Sequence, residues 1–171
     1  GCVFEVDSIL IPKSVKRGLL EYTVTEISEK AFEKSETIQT AQFPDDSLLQ
    51  IIGSSSFASS TIQNITIPAS VIEICPFAFN DCSKLSKVTF GANSNLRIIG
   101  KASFSNLKIK SIKIPENVIE IHEKAFSNCY NLCDFEFEGK PKMKKIEANF
   151  LARDSLNELT IPASVVELKD G

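Results

Sequence analysis

Few residues in this chain of 171 could carry catalysis. Nucleophilic catalysis usually joins a serine or cysteine to a histidine, and the only histidine is His122. Acidic pairs stand at Asp45 and Asp46 and at Glu136 and Glu138, but the aspartates follow a Phe-Pro pair where a turn is expected. General acid–base chemistry needs carboxylates that converge in a cleft with separated pKa values. The sequence therefore predicts no enzyme.

Motifs for metals and cofactors are missing from the sequence as well. The five cysteines contain no Cys-x-x-Cys pair, and no second pair accompanies Cys129 and Cys133 to complete a tetrahedral zinc set. The glycines form neither the G-x-G-x-x-G nor the P-loop spacing with which phosphates are bound. We therefore expect neither a metal nor a cofactor.

The overall charge and composition exclude two further classes of partner. The formal net charge is -3, so the chain has no global basic field of the kind that attracts nucleic acid. Apolar residues make up 43% and charged residues 24%, which are ordinary values for a folded globular protein. No run approaches the ~20 apolar residues of a membrane helix. We expect no nucleic-acid partner and no membrane insertion.

The chain consists of repeats, as the regular recurrence of phenylalanine indicates. The rings at Phe32, Phe57, Phe79, Phe104, Phe126 and Phe150 are separated by 25, 22, 25, 22 and 24 residues. Self-similarity at this period indicates a solenoid or a propeller. An isoleucine stands five residues before most of these rings, and four before the last, which indicates a one-residue deletion near Asn149. Ile-Pro pairs at 67, 114 and 161 are 47 residues apart, so two unit types alternate.

Each unit contains an apolar-x-x-apolar-x-apolar stretch, for example Ile62, Ile65 and Ile67. Its β-branched residues and period-2 alternation predict a short first strand with one buried face. The proline that follows in most units ends this strand, because it cannot donate the next ladder hydrogen bond. A second short apolar stretch, such as residues 71–74, predicts a second strand, and the small-residue–Phe pair predicts a helical turn.

These columns resemble a known repeat. The pattern L-x-x-I-x-I-P-x-S-V-x-x-I-x-x-x-A-F-x-x-C, seen at Ile62 to Cys82 and at Ile109 to Cys129, is similar to the BspA-like (Treponema-type) leucine-rich repeat. The resemblance implies a leucine-rich-repeat solenoid, a right-handed coil with short parallel strands on its concave face and second strands and helical turns elsewhere. Lys140 departs from the pattern, because the other units have a small polar residue or aspartate there. It predicts an irregularity between the fifth and sixth units.

The resemblance also implies a function. The family's role is that of a noncatalytic protein-binding module on bacterial and parasitic-protist cell surfaces, which suggests an adhesin-like protein that binds host or matrix proteins. An intracellular scaffold that binds a cytoskeletal or signalling protein is the alternative. The partner's identity does not follow from the sequence.

The two ends of the repeat array differ from its middle. We assign residues 1–23 to an N-terminal cap and residues 24–171 to about six repeats, with a degenerate repeat that carries extra residues before Val24 as the alternative. Leu168 predicts a further phenylalanine near position 173, so the last repeat is expected to be incomplete and uncapped. An uncovered edge strand can pair with another chain, which predicts self-association unless the native chain continues.

The cysteines take different places in the repeat. Cys82 and Cys129 occupy the same repeat position two units apart, so strand spacing places their backbones roughly 10 Å from each other. This distance is too long for a disulfide bond, and we expect both thiols to be buried. Cys75 aligns with Gly53, Gly100 and His122 at a position that we expect to be an exposed corner. This alignment indicates that His122 is an ordinary corner residue. We expect Cys133 inside a strand and Cys2 in the cap.

Two surfaces could bind a partner. The first, which we call the strand face, consists of the outward positions of the first strands, and its charged members are Lys87, Lys113, Asp134, Glu136 and Glu158. It is either a solvated sheet face or the site of a charged protein contact. The second, the isoleucine patch, lies on the second strands at Ile51, Ile72, Ile98 and Ile119. These side chains either pack against the core or form an adhesive strip.

Overall fold

The computed structural model describes residues 7–152, 155–156 and 158–169. Its regular elements are fifteen short strands: β1 (Ser8–Leu10), β2 (Ser14–Arg17), β3 (Leu20–Thr23), β4 (Glu26–Ile27), β5 (Thr40–Gln42), β6 (Ile51–Ile52), β7 (Asn64–Ile67), β8 (Glu73–Ile74), β9 (Lys87–Phe90), β10 (Ile98–Ile99), β11 (Ser111–Ile114), β12 (Glu120–Ile121), β13 (Asp134–Phe137), β14 (Lys145–Ile146) and β15 (Glu167–Leu168). They form a mostly-β solenoid of about six turns, as the repeats predict.

Each turn of the solenoid except the last contributes one strand to each of two sides. On the first-strand side, β1, β5, β7 and β9 form a parallel sheet, and β11 pairs with β13 in a separate parallel sheet. On the other side, β4, β6, β8, β10, β12, β14 and β15 form one parallel seven-stranded sheet. Equivalent repeat positions pair from turn to turn, as with Ile65 and Val88 or Ile99 and Ile121. The repeat period therefore sets the register.

The core lies between the two sides and consists of stacked columns of identical or similar side chains. Ile62, Ile65 and Ile67 are buried, and so are Leu85 and Val88 one turn later and Ile109, Ile112 and Ile114 two turns later, while Phe90 is partly buried against this core. The phenylalanines stack into a ladder from Phe32 to Phe126, with centroid separations of 5.0 to 5.4 Å and interplanar angles of 24° or less. Offset stacking at this separation adds to the free energy gained by burying the rings.

The small-residue–Phe segments are not helical, so the expected helical turns are wrong in this respect. In the first such segment the N–H groups of Lys30, Phe32 and Lys34 donate to carbonyls of the next turn. The N–H groups between them close turns onto carbonyls three residues back, as Ala31 does onto Ser28. An α-helix would pair each N–H beyond its first turn with the carbonyl four residues back, and no such bond is present in this segment. The segment is thus a chain of tight turns that is hydrogen-bonded to its neighbour.

These turns require left-handed residues two positions before and after the ring. Lys30 and Lys34 flank Phe32 with φ of 57° and 56°, and Phe77 and Asp81 flank Phe79 with φ of 60° and 58°. A positive φ at the third residue of a hydrogen-bonded turn is typical of type II turns. Phe77 is a bulky side chain for this conformation and is 40% exposed.

The N-terminal residues join the solenoid through β1 and then depart from it. β1 pairs in parallel with β5, with Ser8 opposite Thr40. The antiparallel hairpin of β2 and β3 follows, and a hydrogen bond from the Val24 N–H to the Lys13 carbonyl closes its base before β4 begins. The position of β1 is that of a first strand. Both the cap boundary at residue 23 and the degenerate-repeat alternative stay predictions.

The last turn is attached on two sides and open on the third. β15 pairs with β14, and the Phe126 N–H donates to the Phe150 carbonyl, one residue later than in earlier turns. This shift is the one-residue deletion near Asn149. On the first-strand side, none of the described residues from 155 to 162 pairs with β13. Phe135 stands where β7, β9 and β11 have isoleucine or valine, and its ring packs edge-on against Phe126 and Phe150.

Candidate functional site

The strand face places four of its five predicted residues on strands. Lys87 opens β9, Lys113 lies in β11, and Asp134 and Glu136 lie in β13, all with exposed side chains. Glu158 is exposed but lies outside any strand, because the last turn does not pair with β13. The period-2 pattern therefore predicted the orientation of these residues, while whether they bind a partner stays a prediction.

Side-chain contacts divide the strand face into two chemically different parts. Turns near the N-terminus carry uncharged pairs: the Gln63 amide donates to the Gln39 Oε1 at 2.8 Å, and the Thr66 and Thr89 hydroxyls lie 2.9 Å apart. Farther along, Lys113 lies 3.5 Å from Glu136 in an exposed ion pair. Lys87, between these parts, forms no ion pair with any residue that the structure describes.

A break in the first-strand side separates Lys87 from Lys113. No ladder pairs β9 with β11, and a cavity of about 350 Å³ lies over this break, with Thr89, Phe90 and Lys113 in its lining. Lys113 lines this cavity, whereas Lys87 lies on β9 before the break and does not line it, so the two lysines do not share one continuous sheet. This break has no counterpart in the sequence pattern, because both units keep the full set of strand residues.

The isoleucine patch lies on the seven-stranded sheet, but its members alternate with charged residues. Ile51 and Ile98 occupy one column with Glu73 between them, and Glu120 follows Ile98. Ile72 is 38% exposed, and Ile51, Ile98 and Ile119 are half-buried. The sequence pattern showed the isoleucines but not the acidic residues that separate them. Whether the patch packs or binds stays a prediction.

A backbone bend explains how two successive residues can face outward here. The carbonyl of Gln50 accepts hydrogen bonds from the N–H groups of both Ile72 and Glu73, and the carbonyl of Ile72 accepts in the same way from the next turn. Two donors on one acceptor shorten that side of the ladder, as in a β-bulge. Both inner positions of the second strand therefore leave the core while Val71 and Ile74 stay buried.

His122 belongs to a cluster of charged side chains that sequence reasoning missed. We call it the corner cluster; it comprises Glu120, His122, Lys145, Glu147 and Lys169. The His122 Nε2 lies 3.2 Å from the Glu120 Oε2 and its Nδ1 lies 3.8 Å from the Glu147 Oε2. The Lys145 Nζ lies 2.7 Å from the Glu147 Oε1, and the Lys169 Nζ lies 3.4 Å from it. The cluster unites three turns of the second sheet.

Glu147 is the centre of the corner cluster, and its environment favours the charged form. The hydrogen bond from Lys145 is the main reason that its pKa falls to about 2, and the Glu123 N–H, which donates to Glu147 Oε2 at 3.1 Å, assists. Burial acts in the opposite direction but is outweighed. This arrangement couples turns electrostatically and holds no nucleophile, so it does not alter the prediction that the chain is not an enzyme.

The lowered pKa of Glu147 makes a pH-dependent prediction. In the unfolded chain Glu147 titrates near 4.5, so its contribution to stability is present above that pH and is lost between about 4.5 and 2. We expect Glu147→Gln to be less stable than the parent chain at pH 7 and equally stable near pH 2. Urea denaturation at several pH values measures this difference. As a control, Glu36→Gln removes an exposed carboxylate that forms no ion pair with any described residue, and it should leave the pH profile unchanged.

The cysteines are distributed largely as the repeat positions predict. Cys82 and Cys129 are buried, and their thiols donate to the carbonyls of Phe57 and Phe104 at 2.9 and 3.1 Å. Burial raises the pKa of Cys82 to about 11. Burial, together with the Glu73 carboxylate, also raises the pKa of Cys75 to about 11, at a corner that is only half exposed. Cys133 is exposed and directly precedes β13, so the prediction that it lies inside a strand is corrected. Cys2 lies outside the described residues.

Stacked parallel strands, a buried ladder of repeat residues and polar outward columns define the class of this protein as a leucine-rich-repeat solenoid. The chain belongs to the BspA type leucine rich repeat family, whose model matches six copies over residues 13–93 and 50–171. The resemblance found in the sequence is thereby confirmed. No curated protein matches the chain. In the part that the structure describes, no helix could cross a membrane.

Solved structures of bacterial leucine-rich-repeat proteins share this fold. A Bacteroides ovatus leucine-rich repeat protein is 23% identical with a TM-score of 0.70, covering 99% of this chain and 55% of its own. The pneumococcal vaccine antigen PcpA is 24% identical with a TM-score of 0.68, covering 95% and 36%. A leucine rich cell surface protein from Faecalibacterium prausnitzii is 22% identical with a TM-score of 0.63, covering 95% and 43%. The chain thus spans about a third to a little over half of these proteins.

Proposed function

We propose that this chain is a noncatalytic protein-binding module that engages its partner through the strand face. The observation that carries the proposal is the arrangement of charges at outward positions. Core columns repeat from turn to turn, whereas the outward positions hold Lys87, Lys113, Asp134 and Glu136, which the fold does not require. Side chains that vary on a constant scaffold are available for recognition, and solenoids use such extended surfaces to bind proteins.

We further propose that the module acts at a cell surface, as an adhesin-like protein that binds host or matrix proteins. Two structures with the same fold are described as a vaccine antigen and as a cell surface protein. An intracellular scaffold is the second candidate, and the exposed thiol of Cys133 favours it, because such thiols persist in reducing compartments. Proteolysis of intact source cells separates the two, since only a surface protein is cleaved without lysis.

Charge reversal on the strand face tests the proposed binding surface. Partners are first captured from source-cell and host extracts and identified by mass spectrometry, and the affinity of the purified partner is then measured by interferometry. We expect Lys87→Glu with Lys113→Glu to weaken binding at least about 10-fold, because the introduced glutamates would repel the acidic groups of a partner that the two lysines attract. The matched control, Lys34→Glu with Lys84→Glu, carries the same charge change on exposed turn residues. Unchanged binding by the first variant would exclude the strand face.

A further inference from the structure

A groove opens where the last turn separates from β13. Its volume is about 650 Å³, and Phe135, Phe137, Pro141 and Pro162 supply an apolar lining. Glu136, Lys140 and Glu158 contribute the charged groups. The edge of β13 that faces the groove has no strand partner among the described residues. The groove therefore offers an apolar floor, unpaired backbone groups and a net negative charge.

The β2–β3 hairpin is the most exposed apolar feature of the described chain. Val15 lies opposite Tyr22 and Arg17 lies opposite Leu20, so these four side chains share one face. Val15, Tyr22 and Leu20 are 47%, 49% and 61% exposed, and Leu19 at the hairpin end is fully exposed. Two-stranded hairpins are marginally stable on their own, and none of the described strands packs over that face.

The hairpin and the groove are complementary in chemistry. The hairpin face combines apolar side chains with Arg17, which forms no ion pair with a described residue. Lys16 lies on the other face of the hairpin, opposite Glu21. The groove combines an apolar lining with carboxylates at Glu136 and Glu158. A free strand edge is present on both, which permits pairing by strand addition.

The hairpin cannot reach the groove of its own chain. It precedes β4, and the groove lies beside the turn that contains β14. Strands about 4.8 Å apart place these turns roughly 24 Å from each other, whereas a hairpin of four-residue strands extends about 14 Å. Any contact between the two must therefore be intermolecular.

We infer that the hairpin of one copy docks into the last-turn groove of a second copy. The contact is heterologous, so each copy presents a free hairpin at one end and a free groove at the other, and association continues head to tail. One hairpin in one groove buries less surface than a standard protein interface, so we expect a dissociation constant in the micromolar range or weaker.

A charge-swap mixing experiment tests this inference. The hairpin variant carries Arg17→Glu with Leu19→Glu, and the groove variant carries Glu158→Lys with Thr160→Lys; all four positions are exposed. Sedimentation velocity over about 10 μM to 1 mM in low salt should show that the parent chain's average mass rises with concentration. Each variant alone should stay monomeric, because like charges then meet. An equimolar mixture should regain association, since the native hairpin of the groove variant meets the native groove of the hairpin variant. Acidic hairpins also meet basic grooves in the mixture.

Two control variants carry the same charge changes at exposed positions away from the hairpin and the groove. Lys34→Glu with Leu48→Glu matches the hairpin substitutions, and Glu36→Lys with Thr37→Lys matches the groove substitutions; both should associate as the parent chain does. Restored association in the mixture also shows that both variants fold. A parent chain that stays monomeric throughout overturns the inference, as does a mixture that stays monomeric. Neither result affects the proposed strand-face function, which is tested with a foreign partner.

Discussion

Replacement of Phe104 by alanine is expected to lower the free energy of unfolding by about 4 kcal/mol. The ring is fully buried and stacks on Phe79 at 5.4 Å and on Phe126 at 5.3 Å. Alanine leaves a cavity between two turns, removes both stacking contacts and interrupts the ladder in its middle. Chemical denaturation followed by circular dichroism measures the loss.

The shape of the transition should change as well as its midpoint. Each turn contacts only its neighbours, so the stability of a solenoid is close to a sum of turn and interface contributions. A weakened interface at Phe104 uncouples the turns before it from those after it, and we expect a broadened or two-step transition. Phe77→Ala is the control, because Phe77 is 40% exposed and outside the ladder, and it should cost less than about 1 kcal/mol. Equal effects of the two substitutions would contradict the ladder's role.

Most of the fold could be predicted from the sequence because the repeat averages over local ambiguity. A single short apolar run, such as the one at Ile62, could be a strand or part of a helix. Its recurrence with the same spacing leaves only arrangements in which equivalent residues stack, and the structure stacks them in register. The outward orientation of Lys87 and Lys113 follows from the same period-2 pattern.

The turn segments could not be predicted in the same way. A small-residue–Phe pair among polar residues suits a helical turn, and the local sequence therefore predicts one. The N–H of Phe32 instead donates to the next turn, at Ser56. This hydrogen bond connects residues about one repeat apart, so no local propensity reports it.

Irregularities that arise where the repeats are imperfect could be predicted only in part from the sequence. Lys140 and the one-residue shift near Asn149 signalled an irregularity, and the structure has its open groove at that place. The larger ring of Phe135 also lies there, yet an aromatic residue in a strand position gives no warning by itself. The break between β9 and β11 had no sequence signal, because it depends on how two regular turns pack.

The corner column shows how one aligned position can hold two different environments. Gly53, Cys75, Gly100 and His122 align, and each donates its N–H to the isoleucine carbonyl of the preceding turn at 2.8 or 2.9 Å. The glycines are buried, whereas the side chains of Cys75 and His122 are half-exposed. Glycine therefore occupies the units in which the preceding backbone leaves no space for a side chain.

Gly53→Ala is accordingly expected to be among the most damaging single-methyl additions in the chain. A Cβ at this position would lie 2.4 Å from the Ile27 carbonyl oxygen and 3.0 Å from the Glu29 nitrogen, both of them backbone atoms. Real Cβ atoms do not approach so closely, so two turns must move apart and weaken the ladder between β4 and β6. We expect a loss of about 3 kcal/mol in unfolding free energy, the upper end for overpacking.

Cys75→Ala shows whether the loss of stability in Gly53→Ala comes from the lack of room for a Cβ or from the corner position itself. It places a methyl side chain in the same column, in a unit whose geometry already accommodates a Cβ, so its cost should stay below about 1 kcal/mol. In the Gly53→Ala variant, hydrogen exchange should also become faster at the N–H of residue 53, which donates to the Ile27 carbonyl. The same is expected of the Ile51 N–H, which donates to the Thr25 carbonyl. If Gly53→Ala and Cys75→Ala proved equally mild, the close approach of the two turns would not be a constraint, and the alternation of glycine with larger residues would need another cause.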